Sequence, residues 1–157
     1  MATDFLETPI GLLKIEAEDD AVTGITAAEG IEICEPSELT EEAKRQLTEY
    51  FSGKRAGFTF PVRQKGTGFM QTVFAALREI PYGKTVSYGQ LAKRIGRPGA
   101  ARAVGMAAHR NRLLIVVPCH RLTAANGIGG FALGIDKKRR LLELEKESLL
   151  RKIGGSL

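Results

Sequence analysis

A six-residue polar stretch, RQKGTG at 63–68, divides the chain into two parts that follow different periodicities. Ahead of it, GLLKIEAE (11–18) partly alternates between apolar and polar residues. VTGITAA (22–28) follows as an antiparallel partner across the acidic turn Glu18-Asp19-Asp20. Thr40 then reads as the cap of a helix. Glutamates fill its first turn, Ala43, Leu47, Tyr50 and Phe51 recur at helical spacing, and Gly53 ends it. FTFPV (58–62) reads as one more short strand. Beyond the polar stretch the spacing is helical throughout. Phe69, Val73, Ala76, Leu77 and Ile80 share one face, and Pro81-Tyr82-Gly83 stops that helix. Ser87 and Gln90 form a capping box for a second helix, which runs to about Ile95 and breaks at Gly96-Arg97-Pro98-Gly99. A third helix follows at roughly 100–110. With 157 residues, the chain suits a small α/β domain over 1–65 joined to a mainly helical one over 66–157, an α+β fold. Helix, short Gly/Pro turn, helix is the outline of a helix-turn-helix.

Charge follows the same division. Residues 1–65 hold 7 Lys/Arg against 13 Asp/Glu, a balance of −6, whereas residues 66–157 hold 16 against 5, a balance of +11. A basic part of this kind is suited to meeting a polyanion. The third helix qualifies that reading. Ala100, Ala101, Ala103, Gly105, Ala107 and Ala108 leave it almost bare apart from Arg102 and the terminal His109-Arg110. A reader of base edges in the major groove carries several long polar side chains. A smooth helix with one arginine suits either close approach to the minor groove or tight packing in a core. No apolar run reaches the roughly 20 residues of a membrane span. The acidic start MATDFLETPIGLL lacks the basic region of a signal peptide, so a cytoplasmic protein is expected.

IVVPCHRL (115–122) concentrates the chemistry. The chain has two cysteines and two histidines, and here Cys119 and His120 are adjacent at the end of an apolar run. An imidazole can accept the proton of a thiol, and a basic setting favours the thiolate. Neighbours in an extended strand point apart, so contact, direct or through a water, requires a turn just after Pro118. His120 also needs an orienting carboxylate. Asp136, Glu143, Glu145 and Glu147, on a last helix at about 135–150, are the candidates. Cys34, His109, Cys119 and His120 show no paired ligand spacing, so no metal is expected. Cys34 reads as buried and inert.

PCHR (118–121), preceded by IVV and followed by NG and GFALG, resembles the active-site signature of the O6-alkylguanine-DNA alkyltransferases. FMQTVFAALREIPYGKTVSYGQLA (69–92), AARAVGMAAHRN (100–111) and KRRLLELE (138–145) match in family order, and TPIGLL (8–13) and QLTEYFSGK (46–54) match more weakly. The resemblance implies a ribonuclease-H-like N-terminal domain and a helical C-terminal domain with a winged-helix-like helix-turn-helix. It implies direct-reversal repair, in which one alkyl group passes irreversibly from O6 of a flipped-out guanine to Cys119; O4 of thymine is a second position it allows. No cofactor takes part. Carried over by residue, His120 is a water-mediated base oriented by Glu145, Asn111 is a hinge, and Tyr88 donates a hydrogen bond or proton to the leaving guanine. Arg102 fills the gap in the base stack, with Ala101, Ala103, Gly105 and Ser87 against DNA. Arg121, Leu122, Phe131 and Ala132 line the base pocket. The implied partner is double-stranded DNA carrying O6-alkylguanine, bound by a monomer, with clustering along DNA left open.

The chain departs from the family pattern in places. Leu133-Gly134 replaces a Gly-Gly pair, Phe131 a frequent tyrosine, Arg112-Leu113 a proline-containing step and Arg140 a common tryptophan. These bear on pocket shape and loop stiffness, not on the reaction. The zinc of some relatives has no matching ligand set here. Three other classes compete. A non-catalytic lesion binder would lack the acceptor that Cys119 provides. A helix-turn-helix regulator would need reading groups that Ala100 to Ala108 do not offer. A thiol hydrolase would need an oxyanion motif that is not visible.

Overall fold

The computed structural model describes residues 1–155, so the last two residues of the expected second domain, Ser156 and Leu157, lie outside it. The fold is mixed α/β, and the chain separates into two compact units. One comprises residues 1–64 with 112–114; the other comprises 65–111 with 115 onward.

In the first unit, β1 (Ala2–Thr8), β2 (Gly11–Ala17) and β3 (Val22–Ala27) form an antiparallel sheet in sequence order. Strand β2 shows the period-2 logic directly, because Leu13, Ile15 and Ala17 are all fully buried. The β1–β2 turn is held by Thr8, whose hydroxyl donates to the Gly11 carbonyl at 2.6 Å and accepts from the Ile10 amide at 3.1 Å. Gly11 takes φ 102°, a value that favours glycine. Helix α1 (Glu38–Phe51) packs on this sheet through Ala43, Leu47 and Tyr50.

Three expectations for this unit change, and one further pairing joins it. The cap of α1 is Ser37, not Thr40. Thr40 is the third helical residue and completes a capping box, accepting from the Ser37 amide at 2.8 Å while its own amide donates to the Ser37 hydroxyl at 3.3 Å. FTFPV is not a strand, and only Val62 makes a bridge, to Val22. Buried Gln46 meets that segment instead, accepting from the Thr59 amide at 3.0 Å and donating to its hydroxyl at 2.8 Å. Residues 112–114 add a parallel rung beside β3: the Ile25 amide donates to the Arg112 carbonyl at 2.7 Å and the Leu114 amide to the Ile25 carbonyl at 3.1 Å. Finally, Cys34 is exposed rather than buried. Neighbouring Glu35 exchanges amide–carbonyl bonds with Thr3 of β1, and the Cys34 thiol donates to Asp4 at 3.3 Å.

The second unit contains α2 (Gly68–Arg78), β4 (Val86–Ser87), α3 (Tyr88–Arg94), α4 (Ala101–His109), β5 (Leu122–Thr123) and α5 (Ile135–Gly155). The Ser87–Gln90 capping box is present at the start of α3, with bonds of 2.9 and 3.1 Å. Ile95 caps the end of that helix, and Gly96 follows with φ 76°. Helices α3 and α2 both pack on α4, burying Leu91, Leu77 and Val104 together in the core. Strands β4 and β5 pair in parallel, Val86 with Leu122 and Ser87 with Thr123. Among the described residues, no helix is long and apolar enough to cross a membrane.

The capping assignment has a direct test. Ser37→Ala should lower stability by about 1 kcal/mol in urea denaturation, the usual cost of removing an N-cap hydroxyl. A silent Ser37→Ala would return the cap to Thr40.

Candidate active site

The segment leading into Cys119 is buried and bent twice. Ile115 has φ 73°, the one left-handed non-glycine residue among those described. For a β-branched side chain that conformation costs on the order of 1–3 kcal/mol and persists only where the surroundings enforce it. Pro118, at φ −81° and ψ 66°, is the centre of an inverse γ-turn closed by the Cys119 amide on the Val117 carbonyl at 2.8 Å. A single 3-10 turn, Cys119–Arg121, follows at once. This is the turn that the adjacent Cys-His pair requires, and it sends the two side chains to different places.

Cys119 borders a cavity of about 390 Å³. Helix α4 supplies one wall through Arg102, Gly105, Met106 and Ala108, and its end adds His109 and Arg110. Tyr88 and the loop residues Gly130, Phe131 and Ala132 complete it. The Tyr88 hydroxyl accepts from the Gly130 amide at 3.2 Å, which leaves its own proton free to be donated elsewhere. Gly129 has no room for a side chain, because a Cβ there would lie 2.7 Å from the Tyr88 oxygen.

Behind the sulfur lies buried Asn111. Its amide donates to the Val117 carbonyl at 2.8 Å and to Cys119 Sγ at 3.3 Å, so one side chain holds both the γ-turn and the thiol. His120 is fully buried, with Nε2 at 2.6 Å from Glu145 Oε2. Glu145 also accepts from Arg121 at 2.9 and 3.0 Å and from the Gly83 amide at 2.9 Å. Of the four carboxylates open in the sequence, Glu145 is the one that reaches His120.

Electrostatics follow from these contacts. Burial alone would raise the Glu145 carboxyl, but hydrogen bonds and charge from His120 and Arg121 outweigh it and hold the group well below the usual carboxylate range. Burial lowers His120 against the pull of Glu145, with Arg121 and Lys138 assisting. A neutral imidazole facing an ionised carboxylate carries its proton on Nε2, a tautomer inferred from the network. Nδ1 is then a bare acceptor, and it is buried with no hydrogen-bond partner among the described residues. Burial pushes the Cys119 thiol up, opposed by the Asn111 N–H and the Lys138 charge.

Lys138 was not singled out in the sequence. It is fully buried, and its ammonium donates to the Leu122 carbonyl and, at 2.9 Å, to the Gly130 carbonyl. It thereby ties the end of the Cys119 segment to the pocket loop. Burial lowers it to about 8 from 10.5. In the sequence Lys138 is masked by the run Lys137 to Arg140, but spacings of three, four and three residues put Lys138, Leu141, Glu145 and Ser148 on one buried face.

Other expected positions fall differently. Arg121 and Leu122 are not among the cavity's lining residues. The Arg121 guanidinium is held in the buried cluster by Glu145 and by the Ile80 carbonyl at 2.9 Å, and Leu122 is fully buried in β5. Ala103 is exposed and Ala101 half-buried on α4, outside the cavity lining, and Ser87 serves as the α3 cap. Among the described residues, no group of three or more His, Cys, Asp or Glu side chains is arranged to hold a metal ion.

Glu145→Gln would leave the Arg121 guanidinium buried without its counter-charge. It should cost about 3–5 kcal/mol, read from urea denaturation. Because folding depresses this carboxyl, its contribution is complete above about pH 4.5 and is lost as pH falls further. The wild type should therefore lose stability relative to Glu145→Gln only on the acid side; parallel acid profiles would contradict the assignment.

Comparison with known proteins converges on one family. The profile described as "6-O-methylguanine DNA methyltransferase, DNA binding domain" matches residues 68–147. The methylated-DNA–protein-cysteine methyltransferase of Methanosarcina acetivorans is 43% identical over 147 residues, 88% of this chain and 94% of the relative. That of Mycobacterium leprae is 40% identical over 92% of each chain. The crystal structure of the Mycobacterium tuberculosis O6-methylguanine methyltransferase superposes with a TM-score of 0.85 at 40% identity, covering 94% of this chain and 93% of that one. The same protein in complex with DNA gives 0.86, covering 94% of each chain. On this evidence, the chain belongs to the family of methylated-DNA–protein-cysteine methyltransferases.

Proposed function

We propose that this protein repairs O6-alkylguanine in DNA by direct reversal, moving the alkyl group to Cys119 in a single irreversible turnover. One observation carries the reading. A buried cysteine borders a cavity that also presents a tyrosine hydroxyl and an aromatic ring, and a histidine–carboxylate couple adjoins that cysteine in the chain.

The alkyl carbon of the lesion lies within the duplex, so the nucleotide must leave the stack before it can meet a sulfur at the edge of a cavity. Arg102, on the cavity-lining side of α4, occupies the gap and offsets part of the unstacking cost. The bare surface at Ala101, Ala103 and Gly105 lets the helix lie close to the groove, and the basic second part supplies the phosphate attraction. In the pocket, the Cys119 proton passes through a water to Nδ1 of His120, and Glu145 stabilises the imidazolium. The sulfur attacks the alkyl carbon, a C–S bond forms and the C–O6 bond breaks. The electron pair goes to the guanine, which leaves as Tyr88 donates to it. The thioether has no easy leaving group, so the protein is spent after one event. No cofactor enters this balance.

Asn111 and Lys138 support the sulfur as it gains charge, one by an N–H and one by an ammonium. Acceptor, base and DNA-facing helix belong to one chain, which supports action as a monomer. A free thiol at the site accords with a reducing cytoplasm. At the level of fold, the β1–β3 sheet with α1 supports a ribonuclease-H-like first domain. Helices α2 to α4 beside the β4–β5 pair support a winged helix-turn-helix in the second.

Reaction with duplex DNA carrying O6-methylguanine should add one methyl group to the peptide containing Cys119, stoichiometrically and without further turnover, as read by intact-mass and peptide analysis. Cys119→Ala should still bind the duplex, because phosphate contacts dominate affinity; a protein that turns over repeatedly, or stays unmodified, is not this enzyme. Arg102→Ala should slow repair in duplex DNA at least roughly tenfold more than reaction with the free base, since only the duplex demands extrusion. Equal losses on both substrates would remove the gap-filling role.

A further inference from the structure

Met106 is the exposed large apolar side chain on a helix whose other long side chains are Arg102 and the terminal His109-Arg110. It is 56% exposed, an unusual setting for a large apolar residue in a part of the chain that carries a balance of +11. A single exposed apolar residue is common on any surface and by itself means little. Its position gives it meaning. Met106 borders the same cavity as Cys119, Tyr88 and Phe131. It stands four residues after Arg102, so the two share a helix face, and it precedes His109 and Arg110 by three and four residues. All three of those basic residues also line the cavity.

An apolar spot between cations matches the chemistry of a nucleotide rather than of a free base. The flanking guanidinium groups of Arg102 and Arg110 suit the phosphates on either side of an extruded residue. Between two phosphates lies the deoxyribose, whose exposed edge is C–H. A lysine or arginine at 106 would offer nothing to that edge, whereas a thioether on three rotatable bonds can lie along it and exclude water. Gly105, beside it, keeps the wall low; a Cβ there would sit at ordinary contact distance, 3.5 Å, from the Tyr88 ring.

From this we infer that Met106 is a positioning residue that packs on the deoxyribose of the extruded nucleotide and holds the lesion over Cys119. The inference rests on the repair reading above and adds to it a reason why a lesion in DNA would be preferred to the same lesion as a free base.

The test compares Met106→Ala and Met106→Leu with wild type on three substrates, O6-methylguanine as the free base, as the 2′-deoxynucleoside and within a duplex. Affinity for undamaged duplex is measured alongside. In Met106→Ala the rate on the nucleoside and on the duplex, each divided by the rate on the free base, should fall roughly tenfold, the scale of losing one partly buried methionine contact. Met106→Leu should restore both ratios to within about twofold, because it keeps the apolar contact. Ratios unchanged in Met106→Ala would overturn the inference. So would a loss confined to undamaged-duplex affinity, which would make Met106 a groove contact instead. Wild-type protein that modifies none of the three substrates would refute the repair reading itself, an outcome separate from either.

Discussion

The Glu145 carboxylate is the point on which the second unit depends. It accepts from His120, twice from Arg121 and once from the Gly83 amide, and it has no exposure to solvent. An ionised carboxylate is tolerated in such a place only when its lone pairs are satisfied and a cation balances it. Arg121 provides that balance, and this frees His120 from having to be charged. The same carboxylate therefore does two things that would conflict in a simple ion pair. It binds the 3-10 turn and the loop at Gly83 to α5, and it accepts the Nε2 proton of an imidazole that burial holds neutral. Helix α5 carries Lys138 two turns earlier on the same face, and that residue clamps the other end of the site. One helix thus positions the histidine through a carboxylate and the pocket loop through an ammonium.

The backbone explains how adjacent residues divide their work. An extended Cys119-His120 would point in opposite directions with no control over either. The inverse γ-turn at Pro118 followed by a 3-10 turn places the sulfur against the cavity and the imidazole in the interior. Asn111 fastens the turn through the Val117 carbonyl and touches the sulfur with the same amide. The residues between these two points leave to form a rung on β3 in the first unit and return through Ile115 in a strained conformation. That local cost is sustained by burial of Ile115 and its neighbours.

Much of this was legible in the residues, and the reasons for the remainder are physical. The Ser87–Gln90 box, the helical face of α2, the Gly96 break and the strand pair β2–β3 each rest on local chemistry that one segment can express by itself. β1 was not legible, because ATDFLET lacks clear alternation and buries an aspartate that only its tertiary partners make tolerable. The rung at 112–114 depends on a neighbour some 90 residues away in sequence. Thr40 looked like a cap because Ser and Thr both begin helices, and a capping box with threonine in its third position resembles two competing starts. The resemblance places Arg121 in the pocket, whereas its guanidinium is held by the buried Glu145 carboxylate. Cys34 followed the general tendency of cysteine to be buried, against which the sequence offered only the charged neighbours Glu32 and Glu35.

A protein that acts once must keep its acceptor intact until the lesion arrives. Thiolates, not thiols, are oxidised and alkylated by small molecules, so a permanently ionised Cys119 would be consumed by trivial encounters. Burial counters this by pushing the thiol up, while the Asn111 N–H and the Lys138 ammonium keep the anion within reach. On the proposed mechanism the balance tips when that proton passes to the bare Nδ1 of His120. A substrate that fills the cavity and expels bulk water strengthens the stabilising contacts that remain, because each acts in a lower dielectric. Reactivity is thereby tied to occupancy of the pocket rather than to the resting state of the sulfur, which is what a single-use acceptor requires.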